Sequence, residues 1–168
     1  MTSLNVDYGM NSEFYSEKEL QKMNFKSVGF DVRISKLAVI RYPELITVGN
    51  HVAIDPFVYI SVKMDIGNRV HVGVGCTIIG SKNSYFKMCD YSSLSSGVTV
   101  VCGSDDFKDY LVNPTIPMKY RNVTFGKVIL EKFALIGADS TVLPNVTVGE
   151  GTSVGAKSLV NKNLDPWG

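Results

Sequence analysis

Residues 48–78 read VGNHVAIDPFVYISVKMDIGNRVHVGVGCTI, and this stretch decides the fold. Neither the period of an α-helix, about 3.6 residues, nor the two-residue period of a β-strand explains its spacing of aliphatic side chains. A coil of three short strands does, if each six-residue unit points one aliphatic side chain inward. The aliphatic residues that recur at every sixth position are Val48, Ile54, Ile60, Ile66, Val72 and Ile78.

The same period extends in both directions, with two shifts of register and one long interruption. Eighteen positions carry it, and all are Val, Ile, Leu or Met, although these four types make up only 50 of the 168 residues. We therefore predict an all-β fold, a parallel β-helix of about six triangular coils. The remaining positions are Val28, Ile34, Ile40, Met88, Leu94, Val100, Leu130, Ile136, Val142, Val148, Val154 and Val160.

Composition excludes several classes of protein. Seventeen Lys and Arg residues against sixteen Asp and Glu residues leave a formal net charge of +1, so we expect no nucleic-acid partner. No apolar run approaches the roughly 20 residues of a membrane helix, and the N-terminus lacks a signal-peptide pattern. We expect a cytoplasmic protein without membrane insertion. The three cysteines have no CxxC spacing, which predicts reduced thiols and no metal site.

A short helix is predicted before the repeat. Ser16-Glu17-Lys18-Glu19 has the pattern of a capping box, and the helix should run from Ser16 to about Met23. It would cover the open edge of the first coil. We assign residues 1–27 to an N-terminal segment that contains this helix.

A long loop excursion over residues 102–127 interrupts the repeat within the β-helix domain, which we place at residues 28–168. Long insertions in solenoids are usually functional. Its side chains Tyr110, Tyr120 and Arg121 are candidates for contacts with a sugar.

The repeats, the excursion and the run IGADSTVLPNVTVGEGTSVGAKSLV at residues 136–160 resemble the hexapeptide-repeat acyltransferases. Within them the chain most resembles the galactoside and maltose O-acetyltransferases and relatives that modify surface polysaccharides. The resemblance covers roughly residues 28–166. It implies a left-handed β-helix, a homotrimer and acetyl-CoA as co-substrate, bound in a groove between subunits. Small residues let the pantetheine arm approach the backbone, and a lysine meets the nucleotide phosphates. The matching positions are Gly137, Ala138, Gly155, Ala156 and Lys162. For each glycine, a plain solenoid corner is the alternative.

The catalytic histidine of that branch is missing at the matching position. The stretch VTVVCGSDD at residues 98–106 places Asp105 there, with Asp106 beside it. His71 lies between two inward-pointing valines, so it should point outward, next to Gly73, which matches the branch's sugar-binding Asn. We predict that His71 is the general base and that Asp105 or Asp106 orients it across a subunit interface. Alternatively, the two carboxylates act alone or form an Asx turn that opens the loop.

These features predict an acetyl-CoA-dependent sugar O-acetyltransferase of surface polysaccharide biosynthesis (O-antigen, capsule or lipopolysaccharide). The absent histidine favours an alternative, N-acetylation of a nucleotide-linked amino sugar, because an unprotonated amine attacks a thioester with less help than a hydroxyl. A non-catalytic trimeric scaffold is a third hypothesis. A zinc hydratase resembling the γ-type carbonic anhydrases needs three His ligands per metal, and this chain has two histidines.

Overall fold

The computed structural model describes residues 13–108 and 111–168. Residues 1–12 of the predicted N-terminal segment and Tyr110 of the excursion lie outside the described residues. Within the described ranges the chain forms one α-helix and twenty short strands. These are α1 (Glu17–Lys22), β1 (Ser27–Val28), β2 (Arg33–Ile34), β3 (Val39–Ile40), β4 (Ile46–Val48), β5 (Ala53–Ile54), β6 (Tyr59–Ile60), β7 (Lys63–Ile66), β8 (His71–Val72), β9 (Thr77–Ile79), β10 (Tyr85–Met88), β11 (Ser93–Leu94), β12 (Thr99–Val101), β13 (Gly103–Asp105), β14 (Val123–Phe125), β15 (Lys127–Leu130), β16 (Leu135–Ile136), β17 (Thr141–Val142), β18 (Thr147–Val148), β19 (Ser153–Val154) and β20 (Leu159–Val160).

Three parallel sheets form the walls of a triangular prism, which confirms the predicted parallel β-helix. The first sheet has the order β1-β4-β7-β10-β15-β18, the second β2-β5-β8-β11-β16-β19, and the third β3-β6-β9-β12-β17-β20. Each sheet contributes one strand to each of six coils, and a parallel bridge between Val148 and Leu164 begins a seventh. The strands of the three sheets are two to four residues long, shorter than the six-residue units, because the rest of each unit turns a corner.

The eighteen repeat residues form three columns inside the prism. In the second sheet, for example, parallel pairing stacks Ile34, Ile54 and Val72. Sixteen of the eighteen are buried, and the other two, Val28 and Ile40, are half-buried in the first coil. Burying one such side chain contributes about 1.5–3 kcal/mol before the entropy of ordering is subtracted. The six-residue period is thus the spacing of the core.

The predicted N-terminal helix is confirmed. Ser16 caps α1, and the backbone N–H of Ser16 donates to Oε2 of Glu19 at 2.7 Å, which completes the capping box. Leu20 is buried in the core cluster. Nζ of Lys36, in the first coil, lies 3.2 Å from Oε1 of Glu19, so the helix is tied to that coil.

The excursion leaves the prism after β12, at the edge between the third and first sheets, which we call the third edge. It begins and ends as an antiparallel ribbon in which β13 pairs with β14, with Gly103 opposite Phe125 and Asp105 opposite Val123. A 3₁₀ turn at Met118–Tyr120 lies between them. The sequence predicted only a loop here. No helix in the described ranges is long and apolar enough to span a membrane.

Candidate functional site

The edge between the second and third sheets, which we call the second edge, brings together distant parts of the sequence. One residue beyond each second-sheet strand, the backbone N–H of one coil donates to the next coil: Asp55 to Val72, Gly73 to Leu94, Ser95 to Ile136 and Gly137 to Val154. His71, at the start of β8, pairs with Ser93 of β11. The predicted base therefore begins one strand of the second sheet, and the predicted cofactor-binding residue Gly137 follows another strand of the same sheet.

His71 forms a polar pair that the sequence analysis missed. Its Nε2 lies 2.9 Å from Oδ2 of Asp55, and the two side chains are 47% and 12% exposed. Among the described residues, the buried Oδ1 of Asp55 has no hydrogen-bond partner. When Nε2–H donates to Asp55, the lone pair of the neutral ring is on Nδ1. The six-residue register could have predicted this pair, because it places Asp55 at the same edge as Gly73, one coil earlier.

Asp105 and Asp106 do not orient His71 within one chain. Oδ1 of Asp105 lies 2.6 Å from Nη2 of Arg121, with the two side chains 17% and 11% exposed. This pair belongs to the ribbon at the third edge, on another corner of the prism. Within one chain Asp55 pairs with His71 instead. The orientation of His71 by Asp105 or Asp106 across a subunit interface stays a prediction.

Asp106 is used within the excursion. Its Oδ1 accepts from the backbone N–H of Lys108 at 3.0 Å, and its Oδ2 accepts from Nδ2 of Asn122 at 3.3 Å. The first contact is the Asx turn that the sequence offered as an alternative. Among the predicted sugar contacts, Tyr120 is exposed, whereas Arg121 holds the ribbon through Asp105 and the carbonyl of Pro114.

The predicted cofactor-binding residues differ in their surroundings. A Cβ on Gly137 would lie 2.6 Å from the backbone oxygen of Val154, so the stacking of coils alone requires glycine there. Ala138 is half-buried, whereas Gly155 and Ala156 are exposed. A Cβ on Gly155 would meet only Oγ of Ser158, at 3.9 Å. The Gly155 surface is thus open to a ligand.

Lys162 lies farther along the chain than these residues. It is exposed and lines a cavity of about 390 Å³ at the last coil, together with Ser158 and Val160. Its position near the Gly155 coil is compatible with a charge contact to a ligand on that surface.

Cys76 is the thiol at the second edge. Its Sγ donates to the backbone oxygen of Ser95 at 3.0 Å, and burial raises the pKa of Cys76 to about 11. A thiol that stays protonated at neutral pH is a poor nucleophile. The site therefore favours direct transfer over a covalent intermediate on Cys76. Among the described residues, no three His, Cys, Asp or Glu side chains converge on a metal-sized site.

Comparisons with known proteins point to acyl transfer. No profile of a known protein family matches the chain. It is 35% identical over 158 residues to the dTDP-4-amino-4,6-dideoxy-D-glucose acyltransferase of Escherichia coli, an alignment that covers 92% of this chain and 81% of that protein.

Comparison with solved structures also shows similarity to an acyltransferase. AntD, an N-acyltransferase from Bacillus cereus in complex with dTDP and 3-hydroxybutyryl-CoA, is 46% identical and superimposes with a TM-score of 0.89, covering 94% of this chain and 84% of that chain. The polySia-specific acetyltransferase NeuO is 16% identical with a TM-score of 0.51, over 83% of this chain and 74% of that chain. The likeness to NeuO extends to the fold alone.

Proposed function

This chain belongs to the hexapeptide-repeat β-helix acyltransferases, alongside the dTDP-4-amino-4,6-dideoxy-D-glucose acyltransferases, and we propose that it acylates the amino group of that nucleotide sugar from acyl-CoA. The observation that carries the proposal is the 46% identity to AntD over 94% of the chain. A variant of AntD, 45% identical to this chain, is in complex with dTDP-4-amino-4,6-dideoxyglucose and Coenzyme A, which supports both substrates.

The comparisons correct the assignment made from the sequence. The predicted superfamily and the predicted acyltransferase activity are confirmed, but the placement in the galactoside and maltose O-acetyltransferase branch is wrong. The relatives act on an amino sugar, so the predicted alternative, N-acylation, replaces O-acetylation. The aspartate at position 105, where the O-acetyltransferases have histidine, is the sequence feature that indicated this.

The chemistry follows from the pair at the second edge. The unprotonated amine attacks the thioester carbonyl carbon, so that a C–N bond forms and the C–S bond then breaks. The proton of the amine passes to Nδ1 of His71, and the leaving thiolate takes it up. Asp55 holds the ring through Nε2 and stabilises the transient imidazolium. Direct transfer needs no covalent enzyme intermediate, in keeping with the protonated Cys76.

A second copy of the chain completes the proposed site. Phe57 and Val74 at the second edge and Leu135 in the second sheet are exposed apolar side chains around His71, and such a surface is typical of an interface. Asp105 lies on the third edge of its own chain. If the third edge of one copy packs on the second edge of another, Asp105 approaches the amine held near His71. This supports the predicted homotrimer, with Gly155, Ala156 and Lys162 binding the CoA arm.

Acyl transfer tests the proposal directly. Purified protein, acetyl-CoA or 3-hydroxybutyryl-CoA, and dTDP-4-amino-4,6-dideoxyglucose should yield free CoA thiol and an amide product, detected by a thiol reagent and mass spectrometry. The matched acceptor dTDP-6-deoxyglucose carries a hydroxyl in place of the amine and should give no product. Product from dTDP-6-deoxyglucose alone would restore O-acylation, and no product from either acceptor would refute the proposal. The role in surface polysaccharide biosynthesis and the cytoplasmic location stay predictions.

A further inference from the structure

A cavity of about 220 Å³ lies at the third edge, between the ribbon of the excursion and the coil that precedes it. Ser84, just before β10, lies on its prism side, and Asp105, Arg121, Val123 and Phe125 of the ribbon line the other side. Of the residues that line it, only Asp105 also enters the proposed transfer, as a residue of a second copy. Its wall combines five polar side chains with three apolar ones, so it offers a ligand both hydrogen bonds and apolar contact.

Two residues of this wall each carry a buried polar atom that has no hydrogen-bond partner among residues 13–108 and 111–168. These atoms are Oγ of Ser84 and Nε of Arg121. Ser84 is only 1% exposed. Buried polar groups are nearly always paired because an unpaired one costs stability, and exceptions concentrate at functional positions. Two such atoms in the wall of one cavity point to a ligand that pairs with both.

Glycines keep the surroundings of the serine hydroxyl clear. A Cβ on Gly103 would lie 2.8 Å from Oγ of Ser84, and a Cβ on Gly80 would lie 3.0 Å from the same oxygen. Any other residue at either position would therefore crowd the hydroxyl. Both glycines line the cavity.

The charges in the cavity favour a neutral ligand. The guanidinium of Arg121 is already matched by Asp105, at 2.6 Å, so a second anion would meet no unpaired positive charge. The buried groups of the wall that have no partner among the described residues are one N–H donor, Nε of Arg121, and one hydroxyl that donates or accepts, Oγ of Ser84. A ligand hydroxyl oxygen fits both. The side chains of Val123 and Phe125 offer apolar contact to a methyl group beside it.

We propose that the cavity between Ser84 and Arg121 binds a secondary hydroxyl and its neighbouring methyl-bearing carbon skeleton in a substrate of the transfer. The proposal rests on the proposed function, and two substrates carry this chemistry. One is a 3-hydroxyacyl chain on CoA, and the other is the dideoxy sugar ring. In either case Nε–H of Arg121 donates to the hydroxyl oxygen and Ser84 forms the second hydrogen bond, so both residues determine specificity.

The variant Ser84→Ala tests this, with Ser27→Ala as the matched control. Ser27 is an exposed serine of β1, in the first coil, and does not line the cavity. Removing an unpaired buried hydroxyl leaves nothing unsatisfied, so Ser84→Ala should keep or raise the melting temperature while it weakens substrate use. A purely structural Ser84 would instead lower the melting temperature without a change in KM.

Two arms distinguish the sources. In the donor arm, kcat/KM for 3-hydroxybutyryl-CoA is compared with that for butyryl-CoA at saturating acceptor. A hydroxyacyl site predicts that Ser84→Ala loses about three- to tenfold of the preference for the hydroxylated donor. In the acceptor arm, with acetyl-CoA as donor, a sugar site predicts that KM for dTDP-4-amino-4,6-dideoxyglucose rises by about the same factor. Unchanged values in both arms, or equal losses in Ser27→Ala, would overturn the proposal.

The wild-type protein separates this proposal from the proposed function. If it transfers no acyl group, the proposed function fails. Binding to the cavity can still be measured in that case, by calorimetric titration of wild type and Ser84→Ala. The two titrants are 3-hydroxybutyryl-CoA and dTDP-4-amino-4,6-dideoxyglucose. Weaker binding of one of them to the variant supports the site, and equal binding of both refutes it.

Discussion

Nε2 of His71 lies 2.9 Å from Oδ2 of Asp55, across two neighbouring strands of the second sheet and the corner that follows them. Sixteen residues of sequence separate the two side chains, close to one turn of the β-helix. The carboxylate is largely buried and the imidazole is half in solvent. A buried acceptor that fixes an accessible ring is the arrangement expected of a base that must meet a substrate.

His71→Gln should lower kcat/KM about 100-fold, because a positioned general base contributes at least that much. Asp55→Asn should cost about tenfold, since the ring stays in place but its tautomer is no longer enforced. Steady-state kinetics of wild type and the two variants measures both losses.

His51→Gln is the matched control for these variants. His51 also pairs with an aspartate, Asp31, at 2.7 Å, but at a different corner of the prism. Its substitution should leave kcat/KM unchanged. Equal losses in both histidine variants would show that the effect of His71 is not catalytic.

Asp105→Ala should destabilise the protein by about 3 kcal/mol, because it leaves the largely buried charge of Arg121 without its partner. Asp106→Ala should cost only about 1 kcal/mol, the loss of exposed hydrogen bonds. Urea unfolding measures both free energies. Adding Arg121→Leu to Asp105→Ala should recover part of the stability but no activity. Similar costs for the two single variants would contradict the role of the ion pair.

Gly137→Ala and Gly155→Ala test the surface assigned to the CoA arm. The first places a Cβ against the backbone of the next coil and should cost about 2 kcal/mol or more. The second has free space, so its melting temperature should stay unchanged while KM for acyl-CoA rises. If Gly155→Ala binds acyl-CoA as wild type does, the arm does not pass over this residue.

The capping box predicts a pH dependence of the N-terminal helix. Hydrogen bonds from the backbone and side chain of Ser16 lower the pKa of Glu19 from 4.5 to about 2. A lowered folded-state pKa means that the stabilisation is fully present above pH 4.5 and is lost as the pH falls towards 2. The protection factors of the α1 amides, which correct for the intrinsic pH dependence of hydrogen exchange, should therefore fall as the pH is lowered across this range in wild type. In Glu19→Gln they should be lower at neutral pH and nearly independent of pH. Parallel slopes in the two proteins would contradict the contribution of Glu19.

The repeat residues and the capping box could be read from the sequence because both are local. One aliphatic residue in six is visible without any knowledge of what it packs against, and Ser16 lies three residues from Glu19. Asp105 was found through the resemblance, which places it where the O-acetyltransferases have histidine, and its identity indicated the amine chemistry. The assignment to the galactoside and maltose O-acetyltransferases was wrong because the repeat behind the resemblance specifies the fold. The substrate class depends instead on a few side chains.

The sequence by itself determined the parallel coils, the inward columns, the helix and the outward direction of His71, since each depends on spacing along the chain. The tertiary structure decided the partners. It placed Asp55 rather than Asp105 beside His71, paired Asp105 with Arg121, and left Ser84 unpaired beside the excursion. These contacts join residues one coil apart or across a long excursion. Their geometry depends on how the coils stack and how the ribbon folds back, which no local pattern of residues specifies.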